Sequence, residues 1–314
     1  MPVFGAHLSV AGGFPKAVAA AVAGGMATVQ IFTHSPSQWA IKPRPGSDAG
    51  GHADPWVGKP LKADDIAAFR AAVRAANLAF PTAHDSYLIN LAAPDDTLYQ
   101  KSIAAFADEV ERAEGLGLTY LVTHPGAHTG SGAAAGIARV VAALDEVHAR
   151  CPGYRVKVLL ETTAGQGTCL GATFEELAAV LDRVADADRV GVCLDTCHVF
   201  AAGYSLAADY AGTFQRFDDV IGLDQLALFH VNDSVKPCGS RVDRHAGLGL
   251  GEIGLDAFRR LATDPRFRDR PMILETPKED SEGNPMDAVN LGILRGFVAG
   301  DSRLPDGDAR PPRP

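Results

Sequence analysis

Nine side chains of the kinds that hold divalent metals, His84, His124, Glu161, Asp195, His198, His230, Asp243, His245 and Glu275, are spread one or two at a time along the chain. A single His or Glu in such a place is ordinarily a hydrogen-bonded structural residue. Nearly all of these stand at the ends of short apolar runs of strand character, however, and that repetition in step points to one shared site. Five imidazoles and four carboxylates exceed what one ion needs, since zinc takes about four ligands and a catalytic zinc about three from protein. The set implies two or three ions with shared ligands. Ions roughly 3.5–4 Å apart are the usual apparatus for displacement at phosphorus, where both attacking and leaving oxygens need stabilising. Phosphoester hydrolysis is therefore the first chemistry expected.

The elements that must position these residues recur regularly. Apolar runs occur at Val3–Leu8, Thr28–Thr33, Phe80–His84, Tyr120–His124, Val156–Glu161, Val190–Asp195, Leu226–His230 and Pro271–Glu275. Amphipathic, Ala-rich stretches separate most of them, including Asp64–Asn77, Leu98–Leu116, Ala135–Arg150 and Thr173–Ala185, with apolar residues at helical spacing. The last opens with Thr173 and Glu176, a capping-box spacing. Alternating strands and helices imply βαβ units and a parallel sheet. Eight of them in about 300 residues fit a (β/α)₈ TIM barrel better than an open sheet. Active sites of that fold sit where the strands end, and the candidate ligands close six of the eight runs. Residues 1–300 are expected to form one barrel domain. The tail 301–314 holds too little apolar material to pack and is expected to be disordered.

At 314 residues with a net charge of −9, the chain can bury a full core as one domain. The opening MPVFGAHLSVAGG lacks the charged and apolar regions of a secretory signal. No apolar run reaches the ~18 residues of a membrane helix. Five cysteines, Cys151, Cys169, Cys193, Cys197 and Cys238, form no C-x-x-C and leave an odd count, which suits reduced thiols that hold no metal. A cytoplasmic monomer is expected.

Residues 42–60 hold four prolines and four glycines, which forbid a regular helix or central strand and mark a long loop after the second strand. His52 and Asp54 are spaced like ligands there, but a flexible loop gives them no fixed geometry. The acidic net charge argues at first against nucleic acid, because phosphate contacts come from Lys and Arg. Its distribution matters more. The helical stretch 173–189 carries five acids against two bases on what would be the outer wall. Lys42, Arg44, Lys59 and Lys62 follow strand two, and Lys236, Arg241 and Arg244 follow strand seven. Three divalent cations would add about +6 at the mouth and attract phosphate.

At the strand ends the words themselves are informative: GAHLSVAGG at the start, PTAHDSYLINL around His84, THPGAH around His124, LLETTAGQGTCLG around Glu161, RVGVCLDTCHVFAAGY around Asp195 and His198, FHVNDS around His230, GSRVDRHAGLG around Asp243 and His245, and ILETP around Glu275. Through residue 277 the chain resembles the endonuclease IV family of apurinic/apyrimidinic (AP) endonucleases. The resemblance implies a (β/α)₈ barrel with three zinc ions, manganese or iron being possible at some positions. His84 and His124 would hold the first ion with Glu161, which bridges to the second. Asp195, His230 and Glu275 would complete the second, and His198, Asp243 and His245 would hold the third.

The implied reaction is hydrolysis of the phosphodiester 5′ of an abasic site in double-stranded DNA, leaving a 3′-hydroxyl and a 5′-deoxyribose phosphate. A metal-bound hydroxide would be the nucleophile, steered by Glu161. Tyr87 and Leu88 match the family's wedge into the base stack, and Gln38, Trp39, Arg241 and Arg244 would also face DNA. Where the family often carries Arg two residues before the Trp, this chain has Ser37, so the wedge loses a cation that Arg44 or Lys42 would have to replace. A related metal-dependent sugar isomerase or epimerase, and a damaged-DNA binder that keeps its metals for structure, are the alternative readings. The first leaves His198, Asp243 and His245 without a job. His7 is expected to support the site rather than ligate, and His34, His128 and His148 have no assigned role.

Overall fold

The computed structural model describes residues 2–43 and 56–301. Chain order is β1 (Val3–His7), α1 (Phe14–Ala23), β2 (Thr28–Phe32), β3 (Ile41–Pro43), β4 (Trp56–Gly58), α2 (Ala63–Ala76), β5 (Thr82–His84), α3 (Asp96–Leu116), β6 (Tyr120–Thr123), α4 (Ala133–Arg150), β7 (Lys157–Glu161), α5 (Phe174–Leu181), β8 (Val190–Asp195), α6 (Thr196–Ala202), α7 (Tyr210–Val220), β9 (Leu226–His230), β10 (Asp233–Ser234), β11 (His245–Ala246), α8 (Leu255–Thr263), β12 (Pro271–Leu274) and α9 (Asp287–Ala299). Strands β1, β2, β5, β6, β7, β8, β9 and β12 close into a parallel barrel, β12 pairing with β1. These are the eight expected runs: β8 and β9 keep the expected bounds, and the other six are shorter by one or two residues.

Period-two alternation in each strand sends one set of side chains inward and the other out to the helices. Val122, Leu159, Cys193, Leu228 and Ile273 pack together as a small inner cluster separate from the main core. Two residues further along the same inward rails come His124, Glu161, Asp195, His230 and Glu275. The inner cluster is thus a floor, and the polar residues stand on it. The outward set, such as Val158, Leu160, Val192, Leu194 and Phe229, joins the helices in the main core. Backbone approach is closest at Gly5, where a Cβ would lie 2.2 Å from the Thr28 carbonyl oxygen. Only glycine lets β1 and β2 pair there.

Two local expectations are corrected. Part of the stretch 42–60 is ordered as an antiparallel ribbon of β3 and β4, with Pro43 opposite Trp56. Proline is tolerated because this two-stranded ribbon has no third strand to bond. Arg44, His52 and Asp54 lie outside the described residues, as does all of the tail after Asp301. The helix expected over Thr173–Ala185 ends at Leu181; beyond it the Arg183 N–H bonds the Val180 carbonyl three residues back and the Ala185 N–H donates to Asp145 Oδ1 at 2.8 Å. Thr173 caps it by accepting from the Glu176 N–H, but Glu176 accepts from Gly171 and Ala172 rather than from Thr173. Half of the capping box forms. Among the described residues no helix is long and apolar enough to cross a membrane, and all five cysteines are free.

Candidate metal centre and DNA-facing rim

The nine singled-out residues converge at the carboxyl ends of the barrel strands. His84, His124 and Glu161 present ligand atoms within 4.8 Å of one another, as do Glu161, Asp195, His230 and Glu275. Asp195, His198 and His245 form a third such group, with Asp243 3.2 Å from His198 Nε2 and 3.3 Å from His245 Nε2. The geometry departs from a clean division in one respect: Asp195 belongs to two groups, and so does Glu161. Above them lies a cavity of about 410 Å³ lined by His84, Tyr87, His124, His198, Asp243 and Arg244, among others.

Glu161 is the hub. His84 and His124 approach its Oε2 at 3.1 Å, while His230 and His198 reach Oε1 at 2.9 and 3.3 Å. A buried carboxylate in such company must be ionised: burial would raise its pKa, but His230 and His124 overcome that and hold it well below the usual range. Glu275 is likewise held low, against its own burial, chiefly by His230 and by its hydrogen bond with His7. Burial would push His84 down, yet the hydrogen bond and charge of Glu161 raise it to about 10. Burial opposes His198 in the same way, and Asp195 leads the charges that lift it well above its ordinary value. Glu161 and Asp195 are fully buried, and each costs several kcal/mol to desolvate. This cluster therefore demands cations.

Second contacts decide which nitrogen each imidazole turns to the cluster. Nδ1 of His84 donates to the Asp85 carbonyl at 2.9 Å, that of His198 to the Thr162 carbonyl at 2.8 Å, and that of His245 to the Glu275 carbonyl at 3.2 Å. A carbonyl can only accept, so each Nδ1 carries a proton, and Nε2 is the nitrogen that a metal would take in place of its own proton. His245 Nε2 is buried and makes no hydrogen bond, although Asp243 and Asp195 carboxylates lie 3.3 and 3.6 Å away. An orphaned nitrogen aimed at two carboxylates is what a cation would complete. Neutral imidazoles with carboxylates are the donor set of zinc and similar divalent metals, so the residues present fit the group. Cys193 and Cys197 lie close by, but burial pushes both thiols up, Cys197 to about 12.

Local sequence explains the placement. After His124 and Pro125 the chain turns sharply at Gly126, whose φ is +103° and whose Cβ, if present, would fall 2.3 Å from Asn90 Oδ1. Asp195 accepts the His198 N–H and so starts α6. Asn232 donates to Asp195 Oδ2 at 2.7 Å and accepts the Glu275 N–H at 2.8 Å. Asp233 accepts from the backbone of Ser234, Gly249, Gly251 and Ile253, which fixes the β10–β11 ribbon carrying His245. Asn232 and Asp233 stood inside a quoted word, but nothing in their spacing told them from loop residues.

Gln30 is the clearest omission. It is fully buried in β2, with its amide nitrogen 2.6 Å from Glu275 Oε1 and 2.9 Å from His7 Nδ1, and its amide oxygen 2.8 Å from His230 Nε2. A buried amide within an otherwise apolar run was the available signal. His7, as expected, supports the site, and burial holds its pKa down. His34 pairs with Asp108 at 2.6 Å, His128 accepts two backbone N–H groups, and His148 is buried in α4.

The residues expected to face DNA divide. Tyr87 stands 63% exposed at the rim, its ring against Phe32 and His84, while Leu88 is half-buried. Arg241 and Arg244 are exposed, Arg241 with φ +54°. Gln38 and Trp39 line a separate cavity of about 630 Å³ with His34, Lys42, Lys59 and Lys62. Gln38 is exposed, whereas Trp39 is half-buried under Lys101. Arg112 ties this region to α3, bonding the Thr33 hydroxyl and backbone oxygen and the Lys59 carbonyl.

Residues 18–294 match the family described as the xylose isomerase-like TIM barrel. The chain is similar to the probable endonuclease 4 of Chloroflexus aurantiacus, 47% identical over 302 residues that cover 96% of this chain and 99% of that protein. It is also similar to the probable endonuclease 4 of Trichlorobacter lovleyi, 47% identical over 93% of this chain and 98% of that one. Among solved structures, endonuclease IV from Thermus thermophilus superposes with a TM-score of 0.80 at 38% identity, covering 95% of this chain and all of the other. A D-tagatose 3-epimerase-like protein, at 17% identity and a TM-score of 0.65, shares the fold alone. The chain belongs to the endonuclease IV family.

Proposed function

We propose that this protein is a metal-dependent AP endonuclease that hydrolyses the phosphodiester 5′ of an abasic site in duplex DNA, leaving a 3′-hydroxyl and a 5′-deoxyribose phosphate. The observation that carries the reading is the orphaned Nε2 of His245 within a cluster of nine oriented donors. The relatives' names, endonuclease 4 and endonuclease IV, support cleavage within a nucleic-acid chain. Three divalent ions, zinc first among the candidates, would be held by His84, His124 and Glu161; by Asp195, His230 and Glu275 with Glu161 shared; and by His198, Asp243 and His245. Such ions supply Lewis acidity towards a phosphodiester and a water acidic enough to attack near neutral pH.

The chain's own residues do the rest. Glu161 sets the spacing of its partners, of which His84, His124 and His198 line the cavity, and would steer a nucleophile through them. The exposed Tyr87 ring offers a stacking face beside Leu88, filling the helix where a base is missing. An abasic nucleotide has no pair to break, so its extrusion costs less than that of any other, and selectivity starts there. Arg241, Arg244 and Gln38 are placed to meet the backbone, where contacts fix register rather than sequence.

Turnover of a defined abasic duplex tests the reading, with bound metals counted on protein purified without added metal. Cleavage should stop on chelation, return with zinc or manganese, and leave the stated ends. Cleavage that survives complete metal removal would sink it. So would a metal-loaded protein that epimerises ketoses but leaves the duplex intact.

A further inference from the structure

Four imidazoles of the cluster have assignable tautomers, and one is the exception. His84, His198 and His245 each give Nδ1–H to a backbone carbonyl and turn Nε2 inward. His230 is reversed: its Nδ1 faces Glu161 at 2.9 Å, Glu275 at 3.3 Å and Asp195 at 4.0 Å, and its Nε2 points away from them. No backbone carbonyl receives that Nε2. It meets the amide oxygen of Gln30 at 2.8 Å.

The orientation of the Gln30 amide follows from elementary donor counting. An ionised carboxylate only accepts, so the end of the amide 2.6 Å from Glu275 Oε1 must be its NH₂. The other end is then the oxygen. An amide oxygen also only accepts, so His230 Nε2 must carry a proton, and the nitrogen left for a metal to take is Nδ1, which faces three carboxylates. Glu275 thus dictates the tautomer of His230 through one side chain. The same amide restrains Glu275, and its nitrogen lies 2.9 Å from His7 Nδ1. Gln30 reaches all of these from β2, which is separated from β9 by β1 and β12, and is paired in register with His7 on β1 and Thr82 on β5.

We infer that Gln30 is a positioning residue of the deepest metal position: it selects the Nδ1-binding form of His230 and orients Glu275 for the same ion. This rests on the metal reading above. Groups that orient a ligating imidazole in this way are commonly worth about 10–100-fold in metal affinity.

Competition for zinc against a chromophoric chelator, on the full chain, tests the inference together with ¹⁵N-imidazole spectra that report the His230 tautomer. In Gln30→Met one bound equivalent should weaken by about 10–100-fold while the others keep their affinity, and in the zinc-loaded protein the His230 ring should no longer be held in its single Nδ1-ligated, Nε2–H form. Unchanged zinc affinity with an unchanged His230 tautomer overturns the role. Should Gln30→Met fail to fold, Gln30→Glu keeps an oxygen for His230 but loses the donor to Glu275. One equivalent should again weaken, and affinity equal to the parent's overturns the inference. A parent protein that binds no zinc would instead sink the metal reading itself, which separates the two failures.

Discussion

Asp195 and His198 stand one helical turn apart, and Asp195 Oδ1 accepts the His198 backbone N–H at 2.9 Å while the His198 ring turns to Asp243 at 3.2 Å. One D-x-x-H spacing therefore does two things. It starts α6 with an N-cap, worth about 0.5–2 kcal/mol, and it carries donors to two neighbouring groups. Asp195 can serve the floor only because Asn232 holds its second oxygen from the far side.

Because four imidazoles converge on it, Glu161 should be the least replaceable donor. Glu161→Gln should lower abasic-duplex cleavage by more than about a thousandfold, roughly 4 kcal/mol of barrier, with the protein still folded. Steady-state turnover and circular dichroism check this. Activity within about tenfold of the parent would remove Glu161 from the mechanism.

His198→Ala or His245→Ala should each lower bound metal by about one equivalent and depress turnover more than DNA binding, since charge developing in the transition state is what the lost ion would meet. Elemental analysis beside binding to an uncleavable abasic duplex checks both parts. An unchanged metal count in both variants overturns the grouping.

Tyr87 is largely exposed, its ring touching Phe32 and His84 at the rim, so Tyr87→Ala should fold normally. Loss of a stacking face costs about 1–3 kcal/mol, and affinity for a duplex with a stable abasic analogue should fall accordingly, with cleavage at saturating DNA little changed. Equal affinities for parent and variant would take Tyr87 out of recognition.

Protein stripped by a chelator should lose stability as pH rises. The pKa of His84 is raised to about 10, so its contribution is complete below its unfolded value near 6.5, declines above that, and is gone once pH passes about 10. Urea unfolding at pH 6, 8 and 10 reads the slope. Zinc should reverse it, because metal displaces the same protons and binds more tightly as pH rises. Stability that is flat or increasing between pH 6.5 and 10 without metal would show that His84 is not charged against Glu161.

Asp233→Ala should destabilise by about 3–5 kcal/mol, since it strands several buried N–H donors at about 1–3 kcal/mol each. Cleavage should fall with it, because the ribbon bearing His245 loses its anchor. Equilibrium unfolding decides, and a change under about 1 kcal/mol would show that the loop from Gly249 to Ile253 is held by something else.

The barrel was legible because alternation and strand-end residues are local signals: a Glu after Val-Leu-Leu and an Asp after Val-Cys-Leu both declare which way they point. Thr173 announced its cap equally well. Gln30 was not legible, since its importance arises where the neighbouring strands β2, β1, β12 and β9, distant in sequence, bring His7, His230 and Glu275 to one amide. Asp233 is hidden for the same reason, its partners lying up to 20 residues on. The β3–β4 ribbon was obscured by its prolines and glycines, which describe what the backbone cannot do in a central strand and say little about an isolated pair.

Burial falls off steeply from floor to rim: the His230 and Asp195 side chains have no exposure, whereas His124 is 37% and Asp243 42% exposed. Anything bound at the floor must have travelled between the rim donors, and the closed wall of strands offers no other exit. Occupancy is therefore ordered in time. What enters first is held deepest and leaves last, so a chelator should remove the complement in steps, beginning at His124 and Asp243 and reaching His230 only after the rim has been cleared.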